Sequence, residues 1–371
     1  MKNFTRSSIP RIAKGAAGIA AMLLTCGSLT AQTETPAASV AVPNPQMQAV
    51  LDELTALNPK PLETLTPAEA RKQPGPADAV ASLIKKRDIK APEEVADVEN
   101  ETFKYGDVDV KVRIYTPAGE GPFPMVLYIH GGGWVIADLD TYDATPRALC
   151  NAGGMVVVST HYRQAPEHKF PAAHDDVFAA YQWLLKNAKE LNGDASRVAV
   201  VGESAGGNLA AGVSLMAARQ GLPLPRHQVL VYPVTDATTM DTPSYREHAN
   251  AKPLNLPMMQ WFAKHTLASP ADAKDPLLSI ALAGAALKSC PPTTIITADI
   301  DPLRSDGEKL AAALKEQGVT VTLKNYEGVT HEFFGMAAVV DSARAAISFA
   351  SNQLTAAFAQ KMLPIRKTAA E

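Results

Sequence analysis

The sequence is sparing with several residues that announce special chemistry. Only three of its 371 residues are cysteine. Cys26 falls near the start; Cys150 and Cys290 could pair in an exported protein, but read rather as two separate buried thiols, since free cysteine packs as a small hydrophobe. No cysteine is assigned chemistry. Charge of one sign is scarce too: the formal net charge is −3, with no polybasic run, which argues against nucleic acid as a partner. No internal repeat is visible, and the only low-complexity tract is a short Pro/Thr/Ala-rich stretch.

The amino terminus combines Lys2, Arg6, Arg11 and Lys14 with an apolar segment from Gly15 to Leu24 and a small-residue end at Ala31. That segment is too short to cross a bilayer, and the pattern is that of a secretory signal over residues 1–31. Export to the periplasm or medium is therefore expected, with no integral membrane segment after cleavage. Lipidation at Cys26 is the rival reading, disfavoured because Thr25 stands where a smaller residue is usual. Residues 32–45 read as a tether and residues 363–371 as a tail.

Hydrophobic residues make up 46% of the chain, enough for a large core. In residues 46–95, Val50, Leu51, Leu54 and Leu57 share one helical face, and Thr66-Pro67-Ala68-Glu69 is a capping box opening another helix. These helices read as a separate section ahead of a main domain over residues 96–362. There the period changes. Val108, Val110, Val112 and Ile114 alternate as in an antiparallel strand, whereas Met125–Ile129 is continuously apolar, as in a strand buried on both faces. Similar runs at 155–159, 198–201, 229–232 and 293–297, a last strand at 319–323 and helical stretches between them predict an α/β fold with a mostly parallel central sheet flanked by helices. The interval 236–272 breaks this rhythm with Pro253, Pro257 and an apolar helix around 258–267. Its Met258, Met259, Trp261 and Phe262 suit either a lid stripe or a plain core face.

Two motifs carry the chemistry. Gly202-Glu203-Ser204-Ala205-Gly206 lies between a buried strand and a helix, and its glycines permit a sharp turn that lifts a serine oxygen above the sheet. His130-Gly131-Gly132-Gly133-Trp134 follows another buried strand, where three glycines in a row expose backbone N–H groups suited to an oxyanion. His130 is assigned a structural role. A serine needs a base and the base an orienting acid. His331 follows the last strand and a turn over 327–330; Asp299 and Asp301 both follow the strand at 293–297, and spacing leaves the choice between them open. His161, His168, His174, Asp175 and Asp176 run from a loop into a helix without the spacing of a zinc site, so no metal is expected.

These motifs, with Tyr162-Arg163-Gln164-Ala165-Pro166-Glu167, Phe170-Pro171-Ala172-Ala173, Asp301-Pro302-Leu303-Arg304 and Gly328-Val329-Thr330-His331, resemble in order and content the hormone-sensitive-lipase-like (HGGG-motif) bacterial carboxylesterases of the α/β-hydrolase superfamily. The resemblance covers about residues 45–362. It implies catalytic Ser204, Asp301 and His331, and an oxyanion hole from the N–H groups of Gly132, Gly133 (or Gly131) and Ala205. It also implies a helical cap built from residues 46–95 and an insertion at about 236–272. The expected activity is hydrolysis of short- to medium-chain carboxylic esters through an acyl-enzyme, with a small-molecule ester as partner and no cofactor. A binding module that has lost its chemistry, and an amidase or deacetylase, are the alternatives. Three positions depart from the family pattern: Glu203 replaces Asp or Thr, Ser305 a common Asp, and Glu332 a frequent Gly.

Overall fold

A computed structural model describes residues 41–360 of the chain; the expected signal, most of the tether and the tail lie outside them. Three helices come first: α1 (Pro45–Ala56), α2 (Pro67–Ala70) and α3 (Pro76–Lys86). The strands follow as β1 (Asp97–Tyr105), β2 (Val108–Thr116) and β3 (Phe123–Ile129), then α4 (Ala144–Gly153) and β4 (Val156–Thr160). Next come α5 (Ala172–Asn187), β5 (Gly193–Glu203), α6 (Ala205–Gln220) and β6 (Gln228–Val231). Two short helices, α7 (Pro243–Glu247) and α8 (Leu256–Thr266), precede β7 (Thr293–Ile300), α9 (Arg304–Glu316), β8 (Val321–Thr330) and α10 (Asp341–Ala359).

The eight strands form one sheet in the order β1-β2-β4-β3-β5-β6-β7-β8. Only β2 runs against its neighbours; the pairs from β4 to β8 are parallel. This is the α/β-hydrolase fold. Along β3 the alternation of the pleat sends Met125, Leu127 and Ile129 into one apolar cluster and Val126 and Tyr128 into the other. A continuously apolar strand thus supplies two cores, one on each face. Burying each such aliphatic side chain contributes roughly 1.5–3 kcal/mol. The chain leaves β3 for β4 on one side and reaches β5 on the other, so a crevice opens at the carboxyl ends of β3 and β5.

The front helices share the core of the main domain: Met47, Val50, Leu54, Ala79, Val80 and Leu83 join the same cluster as Phe358 on α10. The reason is a stitch to the sheet: the N–H of Asn44 donates to the carbonyl of Gly328 at 2.8 Å, and Met47 packs beneath Thr330 at the end of β8. The last strand also extends past 319–323, over Val321–Thr330, with an irregularity in its pairing to β7 between Tyr326 and Thr330, where the sequence suggested a turn. Gly328 reads as a turn, but it adopts its left-handed φ of 65° inside the strand, where a Cβ would meet Asn44 at 3.1–3.3 Å. Among the described residues, no helix is long and apolar enough to cross a membrane.

Candidate active site

Ser204 sits at the junction of β5 and α6 with φ 57° and ψ −120°, a conformation that L-residues rarely hold. The junction is as tight as its glycines demand. A Cβ on Gly202 would lie 2.0 Å from the carbonyl oxygen of Gly206, and one on Gly206 would lie 2.1 Å from that of Ile129. The N–H of Ser204 donates to Val231 at 2.9 Å, which pins the strained residue to the neighbouring strand.

Strands β7 and β8 deliver the remaining groups to the same edge. The Nε2 of His331 lies 2.9 Å from the Ser204 hydroxyl, and its Nδ1 lies 2.7 Å from the Asp301 carboxylate. All three are buried. Asp301 is therefore the acid facing the base; Asp299 instead takes a bond from the Arg304 guanidinium at 3.3 Å. The other oxygen of Asp301 accepts the N–H of Leu303 at 2.8 Å. Burial opposes a charged imidazole, but Asp301 beside it, and Glu332 and Glu203 farther off, outweigh burial and raise the His331 pKa.

Across the crevice, Gly132 and Gly133 take left-handed φ values of 92° and 57°. Both line the cleft together with Ser204 and His331. Gly131 does not: it is packed against Tyr142 and Glu203 and offers its carbonyl to the Tyr162 hydroxyl at 2.8 Å. Ala205, as the first residue of α6, leaves its N–H without an upstream helical acceptor and at the positive end of the helix dipole. Gly132 and Gly133 thus line the cleft beside Ser204, and Ala205 opens α6 directly after it.

The loop holding these glycines is clamped by the segment 162–167. Gln164 donates to the carbonyls of Ile136 and Ala137 at 2.8 Å, and the N–H of Ala165 donates to Trp134 at 2.9 Å. Arg163 locks this segment by a forked pair with buried Asp176. His130 is buried between His161 and the Gly131 carbonyl, and burial together with the neighbouring His161 pushes its pKa down to about 3, so it stays neutral. His174 bonds Asn208, and His168 joins neither it nor His161.

Several partners here had no local signature in the sequence. Arg71, just past α2, donates to the carbonyls of Val135 and Ala165 at 2.8 Å while pairing with Glu167. Tyr128 and Tyr232 both donate to the carboxyl of Glu203, which lies fully buried next to Ser204 in the chain. Tyr142 donates to Glu332 at 2.7 Å. At the departure on α9, Ser244 of α7 takes over the bracing: its hydroxyl donates to the Pro302 carbonyl at 2.7 Å and accepts the N–H of Ser305 at 3.0 Å.

An open cleft of about 1600 Å³ lies above Ser204. Helix α8 roofs it, capped by Asn255, which accepts the N–H of Met258 at 2.9 Å. Met258, Met259 and Phe262 line the cleft, with the Phe262 ring where a Cβ on Gly133 would come within 2.3 Å. Trp261 instead donates to the carbonyl of Leu65 at 3.1 Å, tying α8 to the front segment. The apolar stripe therefore serves as roof and as core at once. Cys150 and Cys290 are separate, buried thiols.

Comparison with known proteins finds relatives among ester hydrolases. A family model described as alpha/beta hydrolase fold matches residues 126–335. The chain is similar to ethyl acetate hydrolase of Pseudomonas putida, with 39% identity over 236 residues, covering 62% of this chain and 74% of that protein. It is likewise similar to carboxylesterase NlhH of Mycobacterium tuberculosis, at 39% over 264 residues, covering 69% and 82%. Among solved structures, a thermostable esterase from Pseudomonas putida superposes with a TM-score of 0.78 at 33% identity, covering 88% of this chain and all of that one.

Proposed function

Because the chain belongs to the α/β-hydrolase family, in its HGGG-motif carboxylesterase branch, we propose that it is a serine esterase whose working groups are Ser204, His331 and Asp301. The observation that carries this reading is the unbroken line from the Ser204 hydroxyl through both ring nitrogens of His331 to the Asp301 carboxylate, at 2.9 and 2.7 Å.

Ser204 attacks the ester carbonyl while His331 Nε2 takes its proton, and Asp301 holds the imidazole in the tautomer that leaves Nε2 free to accept. The negative charge on the carbonyl oxygen falls among the N–H groups of Gly132, Gly133 and Ala205. One such donor contributes about 2.7–4 kcal/mol to the barrier reduction. His331 then protonates the leaving alcohol, and water repeats the sequence on the acyl-enzyme. No step calls for a cofactor. Esters of short to medium acyl chains are the proposed substrates, supported by the likeness to ethyl acetate hydrolase and to a carboxylesterase. Export behind a signal cleaved near Ala31 is part of this proposal, supported by the basic and apolar pattern of the first 31 residues.

Ser204→Ala tests the reading. Turnover of p-nitrophenyl acetate and butyrate should fall by at least about 10⁴-fold with Tm held. An unchanged rate removes Ser204 from the mechanism.

A further inference from the structure

The mechanism above leaves Glu332 without a task, yet the structure places it with care. Its backbone holds a left-handed φ of 68°, where glycine would sit without strain. Both carboxylate oxygens lie 2.7 Å from the Tyr142 hydroxyl, so the side chain is anchored rather than free. The anchor has its own space: a Cβ on Gly131 would stand 2.4 Å from that hydroxyl. One oxygen of Glu332 is then 3.8 Å from His331 Nε2, the nitrogen that also faces Ser204.

Nε2 is where the acyl acceptor must stand once Ser204 is acylated, because it takes the acceptor's proton. A single oxygen atom on Nε2 is within reach of a carboxylate at that separation. Water and alcohols differ there in one respect. Water has a second hydrogen to donate, whereas an alcohol has already committed its only one to Nε2.

We propose that Glu332, held by Tyr142, accepts the second hydrogen of the hydrolytic water and thereby selects water over alcohols as acyl acceptor. The inference rests on the esterase reading of Ser204 and His331. In the step itself, the water oxygen bonds to the acyl carbon as one proton passes to Nε2. The bond from that carbon to Ser204 Oγ then breaks, and the same proton returns to Oγ, releasing the acid. Throughout, the second hydrogen of water stays on its oxygen and points at Glu332. With methanol the balance is identical and the product is the methyl ester, but the Glu332 contact is missing.

A purely electrostatic role, stabilising the imidazolium, would help both acceptors equally, so the partition between them separates the two roles. The experiment is turnover of p-nitrophenyl acetate in buffer with methanol, reading the ratio of methyl acetate to acetate. Glu332→Ala should raise that ratio roughly tenfold, the loss expected for a hydrogen bond to a charged group. Glu332→Gln keeps an acceptor oxygen and nearly the same shape, so it should fold as the parent does and raise the ratio less. Tyr142→Phe, which frees the carboxylate from its anchor, should also raise the ratio. A ratio unchanged in Glu332→Ala and Glu332→Gln, with p-nitrophenol still released, overturns the proposal alone. No p-nitrophenol release by the unmutated protein overturns the esterase reading and this proposal with it.

Discussion

The two flanks of Ser204 are built from different material. On the oxyanion flank the working atoms are backbone N–H groups, and what holds them is a shell of side chains around a glycine loop: Gln164, the Arg163–Asp176 pair and Arg71. On the acid–base flank the working atoms are side chains, and what holds them is backbone: the ends of β7 and β8, with Leu303 bonded to Asp301 and Asn44 bonded to Gly328. Damage should follow this division. Deleting a side chain on the acid–base flank removes a reacting group, whereas on the other flank it only loosens a loop whose donors survive.

The largest effect is expected where a reacting side chain is neutralised without changing shape. Asp301→Asn keeps its bulk but leaves His331 Nδ1 without a charged partner and free to adopt the wrong tautomer. On that basis kcat should fall on the order of 10⁴-fold. Asp299→Asn, two residues away, weakens a partly exposed contact with Arg304 and touches a long bond from the Gly328 N–H, and should stay within about threefold. Steady-state rates on p-nitrophenyl butyrate for the two variants check this, and equal losses would mean that the acid has been misassigned.

The same division explains what could be read from the sequence. Glycine is legible because it marks backbone: Gly131–Gly133 and Gly202–Gly206 announce donors and a sharp turn with no knowledge of the fold. The acid–base flank was legible only as far as strand ends could be guessed: spacing left Asp299 and Asp301 equivalent, the family resemblance pointed to Asp301, and Asp301 is the one that reaches the His331 ring. Gly328 was half legible: an isolated glycine suggests a turn, and it falls in an irregularity of β8 that also lets Asn44 pack close. The supporting side chains had no signal at all. Arg71 reaches partners 64 to 96 residues downstream, and nothing around it in the chain separates it from an ordinary surface arginine after a capping box. Likewise, Met258 to Phe262 could not be divided into roof and core until the position of Gly133 beneath Phe262 was known.

Arg71 offers the intermediate test. Arg71→Ala removes two bonds to loop carbonyls and the pair with Glu167, but no donor to the oxyanion. A loop free to drift by a fraction of an ångström misaligns those donors, so kcat/KM should drop roughly tenfold, carried mostly by kcat, with little change in Tm. Arg71→Lys should rescue little, since an ammonium cannot reproduce the planar fork that meets two carbonyls and a carboxylate together. A loss as deep as that of Asp301→Asn would erase the distinction between the flanks.

The smallest effect concerns Glu203, which lies beneath both flanks and belongs to neither. Burial, then repulsion from Glu332, raises its pKa, while the bonds from Tyr128 and Tyr232 pull the other way; the balance sits at about 7 against an ordinary 4.5. For a carboxyl whose folded pKa is raised, the fold favours the protonated form. Its contribution to stability is therefore fully present below about pH 4.5 and is lost as pH rises through about 7. Glu203→Gln keeps an uncharged group of the same shape under the two tyrosines. Between pH 6 and 8.5 the parent Tm should decline by about 2–4 °C more than that of the variant, as expected if about one kcal/mol of this term is lost over that span. The variant also removes one of the charges that raise the His331 pKa, so the acid limb of the rate profile should move to lower pH while the plateau rate changes little. Parallel Tm curves for the two proteins would mean that the tyrosines keep Glu203 ionised in the fold, and that the turn beneath Ser204 tolerates a buried charge at neutral pH.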